Sequence, residues 1–180
     1  MPVPNKPAEY ANQASMPINV LLTRSIGSGL LQVLLNRDGI AHVFCLKCGE
    51  DGGKAKQYKI FTTSRFASTK PEIAHLNQKE HKYKPLNENI NLIVHAAWLV
   101  NFNLVLSAFH SQFVEIVHLL SLAVSTNYTI RFVLISPIAA VEKHTAGPVP
   151  RAIISNLKTP MPFSYASAKF LSRLLVDAAD

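Results

Sequence analysis

Ile90-Asn-Leu-Ile-Val-His-Ala-Ala97 is the stretch on which the fold turns. A nearly continuous apolar run of this length reads as a strand buried on both faces, and such strands belong to parallel sheets covered by helices. Working outward, Phe132-Val-Leu-Ile-Ser136 reads as another buried strand, with Arg131 at its start. Between the two, Phe109, Phe113, Ile116, Val117, Leu120 and Val124 recur at helical spacing over about 105–125. Upstream, Ile18-Asn-Val-Leu-Leu-Thr23 is a short strand, followed by a Gly27-Ser-Gly29 turn, a short helix over Leu30–Leu35 ending near Asp38-Gly39, and a β-rich run from His42 to Lys47. Downstream, residues 163–178 read as a helix with Ser164 as N-cap and an apolar stripe of Phe170, Leu171, Leu174 and Leu175. Strands alternate with helices throughout, which predicts an α/β fold: a Rossmann-like doubly wound parallel sheet.

The 180 residues suffice for one domain. We expect a linker or tail over 1–16, rich in Pro, Asn and Ala, and the α/β domain over 17–180. The segment 49–89 is irregular, with weak strand signals at Tyr58–Thr62 and Ile73–Leu76. A net charge of +7 admits anionic ligands, but the lysines are dispersed and no arginine stripe or stacking motif occurs, so nucleic acid is not expected. The beginning Met-Pro-Val-Pro-Asn-Lys lacks the apolar core of a signal peptide, and the longest apolar runs, such as Leu92–Val100, are too short to cross a bilayer. The expectation is a cytoplasmic protein without membrane partners. Cys45 and Cys48 form a lone Cys-x-x-Cys with no second ligand pair, which reads as two thiols at a strand end rather than a metal centre.

Tyr165 and Lys169 lie one helical turn apart in Tyr-Ala-Ser-Ala-Lys, on one face of the predicted last helix. An ammonium beside a phenol lowers the phenol's pKa, and the pair can pass a proton to a carbonyl that receives a hydride. In an open α/β sheet a ligand sits at the carboxyl ends of the strands. Thr23 with Gly27 and Gly29, His95-Ala-Ala97 and Ser136 all fall at such ends.

Together with the dyad, this arrangement resembles an extended short-chain dehydrogenase/reductase. His95-Ala-Ala-Trp-Leu-Val-Asn-Phe-Asn-Leu104, Arg131-Phe-Val-Leu-Ile-Ser-Pro-Ile-Ala-Ala-Val141 and Tyr165-Ala-Ser-Ala-Lys169 narrow the resemblance. They are similar to the thioester reductase domains of fungal non-ribosomal-peptide-synthetase-like enzymes, the group that includes carboxylic acid and aminoadipate reductases. The likeness is good over 90–180, partial over 17–48 and poor between.

The resemblance implies NADPH-dependent reduction of an acyl thioester, carried on the phosphopantetheine arm of an acyl carrier protein, to an aldehyde or alcohol. By position, Tyr165 would donate the proton, Lys169 would tune it and bind the nicotinamide ribose, and Ser136 would hydrogen-bond the substrate oxygen. Thr23, Gly27 and Gly29 would shape the pyrophosphate turn, and His95, Ala96 and Ala97 would line the ribose and nicotinamide side. Lys47 would meet the 2′-phosphate in place of the family's arginine, whose position holds Cys48.

The departures matter equally. Arg24 fills the slot of the first glycine of the pyrophosphate turn, which is about three residues short. His75 replaces an acidic residue beside the adenine pocket, and Pro137 replaces the second of two serines. The sequence stops soon after the Lys169 helix, so the expected sheet is C-terminally truncated and lacks the substrate domain. That leaves a sheet edge open to self-association. Two readings follow: an NADPH-dependent thioester reductase, or an inactive remnant of one with weak or no cofactor binding.

Overall fold

Five parallel strands build one sheet in the computed structural model, which describes residues 17–23, 27–46, 73–76, 89–125 and 129–179. The strands are β1 (Ile18–Thr23), β2 (Ile40–Leu46), β3 (Ile73–Leu76), β4 (Leu92–His95) and β5 (Arg131–Leu134). Their order is β3-β2-β1-β4-β5, and each neighbouring pair is parallel. The chain winds outward from β1 to β3, then returns to place β4 on the other side of β1. This is the doubly wound α/β architecture the alternation of strands and helices predicts, and its switch point is the β1–β4 junction.

Side-chain alternation along β1 assigns the two faces. Val20 and Leu22 pack with Val43, Cys45 and Val94 beneath Leu31 and Leu34 of α1 (Gly27–Leu35). Leu21 points the other way, into a cluster with Ile90, Ile93 and Leu119, the last from α2 (His110–Val124). A third cluster joins Trp98, Phe109, Ile116, Tyr165 and Ala168, packing α2 against α3 (Ser164–Asp177). Each such fully buried aliphatic or aromatic side chain contributes about 2 kcal/mol by leaving water.

Several boundaries differ from the sequence reading. Gly27-Ser-Gly29 is not a separate turn but the first turn of α1. The apolar run over 90–97 forms a strand only at Leu92–His95, the four residues that stand in register with Val20–Thr23 of β1. Ser164 does not cap α3: it is the first helical residue, and Phe163 occupies the N-cap position without a side-chain hydrogen bond. Within 49–89, Ile73–Leu76 is a genuine strand, while Tyr58–Thr62 lies outside the described residues. The break after α1 follows expectation, since Gly39 takes a φ of +85° and accepts the Ile18 N–H at 2.7 Å.

A 3-10 turn (Leu106–Phe109) runs directly into α2, so Leu106–Val124 is one 19-residue apolar helical stretch. By length and composition alone it could cross a bilayer, contrary to the expectation that no apolar run reaches that length. In this fold Ile116 and Leu119 are the buried residues of α2, packed against α3 and the sheet, while Val114, Val117 and Val124 face outward.

Candidate active site at the switch point

The β1–β4 junction is tied by side chains at both ends. At the amino ends, Asn19 N–H donates to Asn91 Oδ1 at 2.9 Å, and Asn91 Nδ2 donates to the Pro17 carbonyl at 3.0 Å. At the carboxyl ends, Thr23 Oγ1 and His95 Nδ1 lie 2.8 Å apart, and the Ala97 N–H donates to the same hydroxyl at 3.3 Å. Both side chains are interior: Thr23 is 1% and His95 0% exposed. The hydroxyl proton is satisfied when it is donated to Nδ1, which puts the imidazole hydrogen on Nε2. That nitrogen is buried without a partner among the described residues.

Burial, and secondarily the charge of Lys169, lower the His95 pKa to about 4, so the ring is neutral at physiological pH. Thr23→Val keeps the shape but leaves His95 Nδ1 and the Ala97 amide unpaired. It should cost about 1–3 kcal/mol in urea unfolding, with Thr23→Ser close to native. Equal stability of the Val and Ser variants would show that the hydroxyl contributes nothing.

α3 delivers the dyad to the neighbouring strand ends. Lys169 is 3% exposed and its Nζ donates to the Ile135 carbonyl at 2.9 Å, just past β5. Ile135 N–H in turn donates to the His95 carbonyl at 3.0 Å, so the lysine is anchored to the junction of β4 and β5. The ammonium also stands 4.1 Å from the centre of the Trp98 ring. Desolvation lowers its pKa to about 8.

Tyr165 sits among rings, edge-on to Phe102 (5.1 Å between centroids, 84°) and Phe109 (6.2 Å, 65°), and stacked with Phe163 (6.5 Å, 9°). Burial raises its pKa, which corrects the expectation of a lysine-lowered phenol. Desolvation outweighs any help from a lysine that is itself buried and bonded elsewhere.

Other expected residues are distributed unevenly. Ala97 is buried and Ala96 partly so at the end of β4, where the Ala96 N–H donates to the Thr23 carbonyl at 3.2 Å. Ser136 follows β5, and its Oγ is buried without a partner among the described residues. Trp98 Nε1 is in the same position. Pro137 precedes a 3-10 turn over Ile138–Ala140. Gly27 and Gly29 lie in the first turn of α1. His75 stands in β3 opposite Cys45. Arg24, Lys47 and Cys48 lie outside the described residues. Among the described residues, no three His, Cys, Asp or Glu side chains cluster as a metal site would need.

Sequence reading missed the Thr23–His95 tie and the Trp98 face beneath Lys169. The first has a sequence signal, since each of two apolar runs ends in a polar residue. The second had none, because Trp98 lies beyond its strand and 71 positions before its partner's end of the fold cannot be inferred from spacing.

The described fold and site define a doubly wound α/β domain with a Tyr-x-x-x-Lys pair at the carboxyl end of its sheet. No protein-family model matches the chain. It is 26% identical over 184 aligned positions to the adenylate-forming reductase Nps9 of Serpula lacrymans var. lacrymans, covering 89% of this chain and 16% of that protein. To the carboxylic acid reductase of Neurospora crassa it is 25% identical over 189 positions, covering 99% of this chain and 18% of that one.

Two solved structures share the fold. The terminal R domain from the myxalamid PKS-NRPS biosynthetic pathway gives a TM-score of 0.74 at 20% identity, over 92% of this chain and 46% of that one. A thiolation-reductase di-domain from an archaeal non-ribosomal peptide synthetase gives 0.60 at 20% identity, over 91% and 39%. The chain thus spans under a fifth of these curated relatives and under half of either solved chain. The resemblance to thioester reductase domains, expected from the residues, is found in the sequence relatives, and the solved reductase domains share its fold.

Proposed function

We propose that the chain forms the cofactor-binding part of an NADPH-dependent reductase that acts on an acyl thioester held by a carrier protein. The observation that carries this reading is the placement of Lys169. A buried ammonium is anchored by Ile135 at the strand ends next to the switch point, one helical turn from Tyr165. The similarity to reductases and to a thiolation-reductase di-domain supports the carrier-bound substrate. A cytosolic setting goes with it.

The residues present fit a nicotinamide cofactor. Unpartnered buried groups, Ser136 Oγ and Trp98 Nε1 among them, flank the strand ends, and α1 begins at Gly27 just after β1. NADPH, when bound, would supply the hydride. Gly27 and Gly29 would face its pyrophosphate, and Lys169 would bind the nicotinamide ribose. Tyr165, protonated at neutral pH because burial raises its pKa, would hold the proton destined for the substrate oxygen. Ser136 would orient that oxygen.

A second reading has its own support. The Thr23 hydroxyl is already engaged with His95 and Ala97, and Tyr165 is enclosed by aromatic rings. Both suit a remnant that keeps the layers and has lost the reaction. Thermal unfolding separates the two. At 100 times its dissociation constant, NADPH should stabilise the chain by about 2.7 kcal/mol, a rise in Tm of roughly 5–10 °C. No shift with millimolar NADPH or NADH would eliminate the reductase reading.

A further inference from the structure

We infer that Trp98 is the positioning residue of Lys169: its indole face is the counter-surface that keeps the buried ammonium charged and aimed at the strand ends. Among the described residues, Nζ meets one carbonyl, Ile135 O at 2.9 Å, and one ring, Trp98 at 4.1 Å, and no carboxylate. A charge buried to 3% exposure with no ion-pair partner needs a compensating field. The face of an indole, the strongest aromatic partner for a cation, supplies one where water cannot.

The ring is fixed for this task. Trp98 is 5% exposed, stacks on Phe109 (6.1 Å, 13°) and meets Phe113 edge-on (6.2 Å, 79°). Phe109 belongs to the 3-10 turn and Phe113 to α2. The layer that packs against α3 therefore also orients the plane beneath its lysine. Among the described residues, the other titratable groups near Lys169 are His95 at the end of β4, neutral and tied to Thr23, and on α3 itself Tyr165 and Arg173, one turn before and one after. None offers a negative charge at neutral pH.

The inference gives the proposed reductase a third residue acting through the dyad, and it rests on that reading only for its meaning in catalysis. Its test needs no cofactor. In the full chain with 13Cε-labelled lysine, the Lys169 resonance is assigned by its loss in Lys169→Met and titrated with pH. The native signal should titrate at about 8. In Trp98→Leu, which keeps an apolar side chain without a π face, the midpoint should fall by about one unit or more.

Trp98→Phe retains a weaker face and should fall between the two. This intermediate variant decides the matter if the leucine chain does not fold. A role confined to packing would leave the midpoint unchanged, or raise it as water reaches the ammonium, and either result overturns the inference. NADPH binding is measured separately on the same proteins. Failure of the native chain to bind it removes the reductase reading and leaves the Trp98 result standing, whereas binding with an unmoved midpoint overturns the Trp98 role alone.

Discussion

If the proposed reductase reading holds, replacing Tyr165 with phenylalanine is expected to cut thioester reduction by about 10²–10⁴-fold while leaving NADPH affinity nearly unchanged. The substitution removes one oxygen from a ring held by Phe102, Phe109 and Phe163, so the aromatic packing that positions α3 survives. What disappears is the proton. Burial raises the phenol's pKa, which keeps it protonated throughout the neutral range and makes it a donor rather than a base. Steady-state turnover and cofactor titration on the same preparation check this. Parallel losses of both would mean that Tyr165 shapes the cofactor site. Unaltered turnover would reduce it to a packing ring and return the chain to the remnant reading.

Acidification should have an effect of similar size on the fold itself. His95 has a folded pKa of about 4 against an unfolded value of 6.5, so between these limits the unfolded chain binds a proton that the folded chain refuses. The contribution of His95 is therefore complete above pH 6.5 and is lost as pH falls towards 4, with about 3 kcal/mol at stake from this one group. Lys169 works on the alkaline side with the same sign: its pKa drops from 10.5 to about 8, so stability rises as pH climbs through that interval. Urea unfolding at a series of pH values measures both limbs. Since carboxylates also titrate near the bottom of the acid range, the decisive comparison is with His95→Gln, whose curve should flatten between pH 6.5 and 4. A native curve as flat as the variant's would contradict a buried neutral histidine.

The architecture was legible because its signals are long and repetitive. The apolar runs around Val20 and Val94 read as strands of a covered sheet, and the 109–124 periodicity as a helix laid on it. The run around Val133 is a strand as read but not a buried one, because it lies at the sheet edge and leaves Val133 exposed. The details that failed depend on partners. β4 is shorter than its apolar run because strand length is set by what the neighbour offers, and β3 was faint because four residues carry little pattern. In the site, the Tyr165–Lys169 spacing was visible, being local to one helix. Its electrostatics were not, because burial and the contacts to Ile135 and Trp98 arise between segments far apart in the chain.

A hairpin fixes the alignment of its strands through a tight turn, but parallel strands have no such device. β1 and β4 meet across a separation of 72 residues in the chain. The hydroxyl of Thr23 and the imidazole of His95 take over that office. A slip of one residue would turn His95 to the opposite face and abandon both partners in the interior, so misaligned pairings carry a penalty that the apolar residues alone would not impose. The same pair sits where the chemistry is proposed to happen. Alignment of the strands and alignment of the site thus draw on the same hydrogen bond.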